Sequence, residues 1–276
     1  MLEQLKYKNH MNEVFEFGKD GIFVDMNDLH DYEWTVTKKG NRIASLDRSI
    51  SKRKLPVTII CDTEEQGIAA RNKLLEVTEK DVLALQHGQV ILGDYYFKCF
   101  VTKSAKSNYL TTKRYMTLTL TLTSDFPYWV KESTFRFLQP VAAYSIGGQN
   151  LDMGFDHPFD YYSGLENKTL NNTGFVGTNF RMIIYGECYN PAVYVAGHLY
   201  QVNCEVGANE YLTIDSVAKK VYLTANDGTV TNVFNLRNRE SYIFEKIPPG
   251  QNAVTWEGGF GLDIILLEER SEPKWT

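Results

Sequence analysis

The sequence predicts a mainly β protein of two domains, with a single α-helix in the first. Three observations carry this. Met116, Leu118, Leu120 and Leu122 alternate with Thr117, Thr119, Thr121 and Thr123, a period of two that puts an apolar row on one strand face and hydroxyls on the other. Upstream, Ala70, Leu74 and Val77 recur at i, i+4 and i+7, the spacing of one helix face. Beyond residue 140 no window holds a helical period, and short β-branched and aromatic segments are spaced like the strands of a sandwich.

Taken in chain order, strands are expected around Val14 to Phe17, Ile22 to Val24, Tyr32 to Thr37 and Leu55 to Cys61, divided by the turn formers Gly18-Lys19-Asp20-Gly21 and Gly40-Asn41. Asp62 reads as a helix N-cap with Glu65 in the capping-box position, which places the helix at about 63–78. Val82 to Gln86, Val90 to Leu92 and Tyr95 to Thr102 follow as strands, the last two joined by a Gly93-Asp94 hairpin turn. Lys103 to Lys113 is a polar, basic connection, long for a simple hairpin. In the second half the expected strands are Arg181 to Tyr185, Val193 to Val195, Tyr200 to Val206, Tyr211 to Ile214, Lys220 to Thr224, Ser241 to Phe244, Ala253 to Trp256 and Leu262 to Leu267. Pro248-Pro249-Gly250 marks a tight loop, and the sequons Asn167-Lys168-Thr169 and Asn171-Asn172-Thr173 read as loop residues.

At 276 residues the chain is long enough for two cores, and a shift of charge supports a boundary near Pro140. Residues 1–139 hold 20 basic and 18 acidic side chains, whereas 140–276 hold 9 and 16. The domains are therefore set at 1–139 and 140–276. The total of −5 argues against a nucleic-acid-binding protein, which would carry a positive excess. No apolar run is long enough to span a membrane, and the polar start, Met1 to Met11, lacks the order of a secretory signal, so synthesis and retention in a cytoplasm are expected. Cys61, Cys99, Cys188 and Cys204 form no CxxC pair and read as small buried hydrophobes of a reduced protein.

A search for chemistry nominates no catalytic, cofactor-binding or metal-binding residue. His10, His30, His87, His157 and His198 lie in no motif. Gly147-Gly148 and Gly258-Gly259-Phe260-Gly261 lack the Lys-Ser/Thr of a phosphate loop and read as turns. Asp152, Asp156, His157 and Asp160 fit no metal loop, and the neighbouring Phe155, Phe159, Tyr161 and Tyr162 suit domain-edge packing or a sugar platform. A glycosidase would need two positioned carboxylates, and no motif supplies them. One basic run stands out: Lys38, Lys39, Arg42, Arg48, Lys52, Arg53 and Lys54 against the single acid Asp47, read as a solvated hairpin or a partner-facing edge.

The order of these features, with the first half ending in Ser124-Asp125-Phe126-Pro127-Tyr128-Trp129, resembles the distal tail protein (Dit) family of siphophages. Three further stretches carry the resemblance: Glu210-Tyr211-Leu212-Thr213-Ile214-Asp215-Ser216 followed by Lys219-Lys220-Val221, then Ile247-Pro248-Pro249-Gly250-Gln251-Asn252, and the closing Glu269-Arg270-Ser271-Glu272-Pro273-Lys274-Trp275. The resemblance implies a β-barrel-like or β-sandwich N-terminal domain and a peripheral galectin-like C-terminal sandwich. It implies a non-catalytic virion part at the tail tip, made in the bacterial host cytoplasm and assembled as a homohexameric ring between the tail tube protein and the tail-associated hub protein. DNA would pass through the central channel without specific binding, and the C-terminal domain could dock a receptor-binding protein. Strand edges and charged extensions suit such a ring, which makes Lys52, Arg53, Lys54, Lys106, Asn108 and Tyr109 the candidate oligomer contacts. The alternative is a host-adhesion protein whose C-terminal sandwich binds cell-wall carbohydrate through Tyr161 or Tyr162.

Overall fold

The computed structural model describes residues 4–107, 112–139 and 166–275. The protein is mainly β, with one α-helix among the described residues, and it divides into two compact units, Met1–Lys131 with Glu269–Thr276, and Glu132–Glu268. The last eight residues, placed by chain order with the C-terminal domain, thus belong to the first unit. Trp275 stacks on His30 at 4.1 Å between ring centroids, a contact that ties the end of the chain there.

The first unit begins with β1 (Leu5–Lys8), β2 (Val14–Glu16), β3 (Ile22–Val24), β4 (Thr35–Lys39), β5 (Arg42–Asp47) and β6 (Ser51–Ile60). After the helix α1 (Glu64–Ala84) come β7 (Gly88–Leu92), β8 (Tyr95–Ser107), β9 (Tyr115–Ser124) and the start of β10 (Trp129–Phe137). Antiparallel pairing gives the order β10-β8-β7-β1-β2, with β3, β6 and β9 joined to it through β8. The Thr/Leu alternation is β9: Met116, Leu118, Leu120 and Leu122 are buried among Leu55, Val57 and Ile59 of β6, while the threonines face outward.

The helix differs from its expected bounds at both ends. Its N-cap is Thr63 rather than Asp62: the Thr63 hydroxyl accepts from the Gln66 amide, and the Gln66 side-chain carbonyl accepts from the Thr63 amide. At the other end the expected strand Val82 to Gln86 is helix as far as Ala84. Asp81, fully buried, anchors the last turn, and Leu85, at φ 50°, donates its amide back to the carbonyls of Asp81 and Val82. Ala70, Leu74 and Val77 pack on the sheet as the period predicts. Gly67 sits so close to the chain entering β9 that a Cβ there would lie 2.1 Å from the Lys113 carbonyl oxygen.

The second unit holds β11 (Glu166–Asn172), β12 (Asn179–Tyr185), β13 (Cys188–Tyr189), β14 (Ala192–Val195), β15 (His198–Gln201), β16 (Glu205–Val206), β17 (Tyr211–Asp215), β18 (Lys220–Thr224), β19 (Val230–Asn232), β20 (Gly250–Trp256) and β21 (Gly261–Arg270). One sheet runs β19-β18-β17-β12-β21 and a second runs β11-β20-β14-β15, with β13 and β16 as a separate ribbon. Phe180, Met182, Ile184, Leu212, Ile214 and Ile264 from the first sheet share one core with Leu170, Val193, Tyr200, Val254 and Trp256 from the second, the alternation that a sandwich requires. Three readings are corrected. The sequon stretch is strand β11, paired along its length with β20. Ser241 to Phe244 is not a strand: Ile243 and Phe244 are core residues, but the segment contains a turn closed by the Glu245 amide on the Tyr242 carbonyl. The segment Tyr200 to Val206 is broken into β15 and β16.

Candidate assembly surface

The hairpin β4–β5 pairs with no other strand among the described residues. Its turn is Gly40-Asn41, with Gly40 at φ +62°, and its register sets Val36 against Leu46 and Lys38 against Ile43 around a bulge. All three apolar side chains are open to solvent, Ile43 most of all at 63%. Two strands without a covered face are marginal in water, so this hairpin has the chemistry of an arm built to meet another surface. Its root is fixed by Arg48, whose guanidinium lies over the rings of Tyr128 at 4.8 Å, Trp34 at 5.4 Å and Tyr32 at 5.9 Å. Burial among these rings lowers the Arg48 pKa from its usual value.

The sequence-predicted contact residues separate by strand face. Lys52 and Lys54 of β6 are exposed, and the Lys54 amide donates to Asp28 Oδ1 at 2.6 Å. Arg53 between them points inward and is only 3% exposed. Its Nη1 donates to the Leu29 carbonyl, and its guanidinium lies 4.4 Å from the Phe97 ring centroid and 5.9 Å from that of Trp129. Arg53 is therefore packed into the core, unlike Lys52 and Lys54, which stay on the exposed face. Lys106 is exposed on β8, with Nζ 3.1 Å from Ser104 Oγ, whereas Asn108 and Tyr109 lie outside the described residues. The expected loop from Lys103 is strand as far as Ser107. From Phe100 to Ser107, β8 pairs with β9 alone, so its other edge carries no strand among the described residues. Lys103 and Lys106 sit on this open edge, as charged residues do where a sheet must not pair indiscriminately.

A further apolar surface escaped the sequence reading. Ile68, Leu75 and Val82 recur every seven residues along the outer face of α1 and are all exposed. The period was visible, but only the inward stripe was assigned.

The described histidines are structurally engaged. His10 Nδ1 lies 2.6 Å from Asp81 Oδ1, His87 Nε2 lies 2.7 Å from Asp125 Oδ1, and His30 stacks on Trp275. His198 Nε2 is 3.1 Å from Ser241 Oγ, but it is closer, at 2.9 Å, to the Tyr242 carbonyl, while the Ser241 hydroxyl donates to the Leu199 carbonyl at 2.6 Å. A ring nitrogen that donates to a carbonyl holds a proton and cannot act as base toward the serine. No group of three or more His, Cys, Asp or Glu side chains that could hold a metal occurs among the described residues. The cluster Asp152, Asp156, His157 and Asp160, with Gly147-Gly148, Phe155, Phe159, Tyr161 and Tyr162, lies outside them. No described helix is long and apolar enough to cross a membrane.

No protein-family model matches the sequence, and no curated protein does. Solved structures do match. The crystal structure of SPP1 Dit, described as a paradigm of the hub adsorption apparatus in phages infecting Gram-positive hosts, aligns with a TM-score of 0.59 at 9% identity, covering 98% of this chain and 100% of that one. The fold is Dit-like. A chain of the phage P2 baseplate in its activated conformation with Ca aligns with a TM-score of 0.65 at 12% identity, covering 99% of this chain and 100% of the other. The same baseplate with Sr gives equal values. At such identities the likeness is one of fold. The Dit-like fold extends over both units, so neither half of the chain is an addition to it.

Proposed function

We propose that this chain is a distal tail protein: a structural, non-catalytic subunit of a phage tail tip, or of a prophage-encoded one. In this reading six copies close head-to-tail into a ring between the tail tube and the tail-associated hub, and leave a channel for DNA. The first unit builds the ring, and the second stands outside it, where a receptor-binding protein can dock. The observation that carries the reading is the full-length Dit-like fold, covering all of the SPP1 protein and of the P2 baseplate chain. Two features of this chain support it: the unpartnered arm β4–β5 and the open β8 edge at Phe100–Ser107 are different surfaces of one unit. Contacts between unlike surfaces close into rings when the rotation is commensurate. Lys52, Lys54 and Lys106 are the charged contacts retained, together with Asn108 and Tyr109.

Light scattering after size exclusion and negative-stain microscopy of the full chain test the proposal. Wild-type protein gives annular particles at high concentration. Val36→Asp with Leu46→Asp, or Lys52→Glu with Lys54→Glu, gives folded single copies. Rings that persist in both variants remove the arm and β6 from the interface, and wild type that never forms rings at assembly concentrations overturns the ring itself.

A further inference from the structure

At the root of the arm, buried polar atoms that lack partners gather around one cleft of about 430 Å³. Arg48 contributes Nε and Nη1, Ser51 its Oγ and Arg53 its Nη2; each of these atoms is buried and has no hydrogen-bond partner among the described residues, and all three residues line the cleft. Arg53 is held from beneath by the Leu29 carbonyl and the Phe97 and Trp129 rings, which fixes one side of its guanidinium and leaves the other unanswered. Buried guanidinium nitrogens without an acceptor are costly, and two arginines facing one space raise that cost. Their proximity is felt: burial, then the neighbouring Arg48 charge, pushes the Arg53 pKa down to about 10.

We propose that this cleft is an oxyanion site, in which Arg48, Arg53 and the Ser51 hydroxyl together donate to a carboxylate or phosphate head group. Planar guanidinium donors match the paired oxygens of such groups. The rim decides what kind of anion fits. Arg48, Lys52 and Arg53 are matched by Asp28, Asp31 and Glu33 in the same lining, so the formal charge balances. A balanced rim does not attract a polyanion such as a DNA backbone from a distance. It accepts a single small head group that reaches past the carboxylates, of which Asp28 is already engaged on the Lys54 amide.

Two sources carry that chemistry: inorganic phosphate from solution, or an acidic side chain of a second copy. The second source rests on the ring reading and the first does not. The arginine Nε–Hε resonances of the full chain, followed by NMR, separate them. Saturable shifts of Arg48 and Arg53 on adding phosphate at fixed, dilute protein assign the free ion. Shifts that follow protein concentration without phosphate, and vanish when phosphate is added, assign the second copy. Ser51→Ala, which removes one charge-assisted donor, weakens either response by at least about ten-fold, and Arg48→Gln abolishes it. Resonances that move with neither phosphate nor protein concentration overturn the site, as does an undiminished response in both variants. A phosphate response without any ring formation upholds the site and rejects only the ring reading.

Discussion

Asp81 is the side chain whose removal the first unit tolerates least. It is fully buried in the last part of α1, and its oxygens serve three groups of β1 and the turn that follows it: the Tyr7 hydroxyl at 2.7 Å, the His10 amide at 2.8 Å and His10 Nδ1 at 2.6 Å. The site is packed closely enough that a Cβ on Gly88 would lie 2.2 Å from Asp81 Oδ2. Asp81→Ala leaves the Tyr7 hydroxyl and the His10 amide without an acceptor, at about 1–3 kcal/mol each. The two together put the total loss at about 2–6 kcal/mol. That is a large share of the roughly 5–15 kcal/mol by which domains are stable. Asp81→Asn keeps the volume and one acceptor, and loses about half as much. Urea unfolding followed by tryptophan fluorescence reads the change, since Trp34, Trp129 and Trp275 belong to the first unit and Trp256 alone to the second. Tyr7→Phe, combined with Asp81→Ala in a double-mutant cycle, gives a coupling of about 0.5–3 kcal/mol. A loss below about 1 kcal/mol for Asp81→Ala would refute the network as a fastening of β1 to the helix.

Two further outcomes follow from the electrostatics. The ammonium of Lys19, and then that of Lys6, hold the Glu16 carboxyl down to about 2. A carboxylate depressed in the folded state contributes stability that is complete above its unfolded pKa and fades as pH falls through the folded value. The difference in urea midpoint between wild type and Glu16→Gln is therefore constant at neutral pH, shrinks below about pH 4.5 and disappears near pH 2; a difference that grows on acidification contradicts the pairing. The thiols give the second test. Burial pushes Cys99 up to about 12 and Cys188 up to about 11, so neither is an appreciable thiolate at pH 8. Ellman titration of native protein is slow, begins at the partly exposed Cys188 and reaches Cys99 only on unfolding; prompt labelling of Cys99 would place it outside the core.

The parts of the fold legible in the sequence are those where one periodicity acts alone. From Met116 to Thr123 in β9 apolar residues alternate with threonines, so the face that shares one core with Leu55, Val57 and Ile59 of β6 could be read directly. The inward stripe of the helix was legible for the same reason, while its end was not. Val82 to Gln86 has the composition of a strand, and what keeps it helical to Ala84 is a tertiary tie through Asp81 to Tyr7 and His10, some 70 residues away. Strand β11 was hidden for a related reason. Asn171 and Asn172 favour turns locally, yet seven consecutive pairings with β20 hold them extended, and the Asn172 side chain spends its donors on the carbonyls of Ile247 and Pro248.

The candidate site shows the same division most clearly in Lys52, Arg53 and Lys54. As a run of charge the three look alike, and charge runs are ordinarily solvated. On a strand, successive side chains face opposite sides, so a charged triplet cannot all be solvated when one face is covered. Leu55, Val57 and Ile59 fix which parity of β6 is buried, and Arg53 shares it. An arginine on the buried parity must be matched from within or from outside. Its Nη1 and ring contacts are internal, whereas Nη2 has no partner among the described residues, and the residue lines the cleft that Arg48 and Ser51 also line. Arg53 therefore links the core to the root of the arm. A partner that fills the cleft would bear on the position of β4–β5 through Arg48, whose place among Tyr32, Trp34 and Tyr128 sets where the arm leaves the unit.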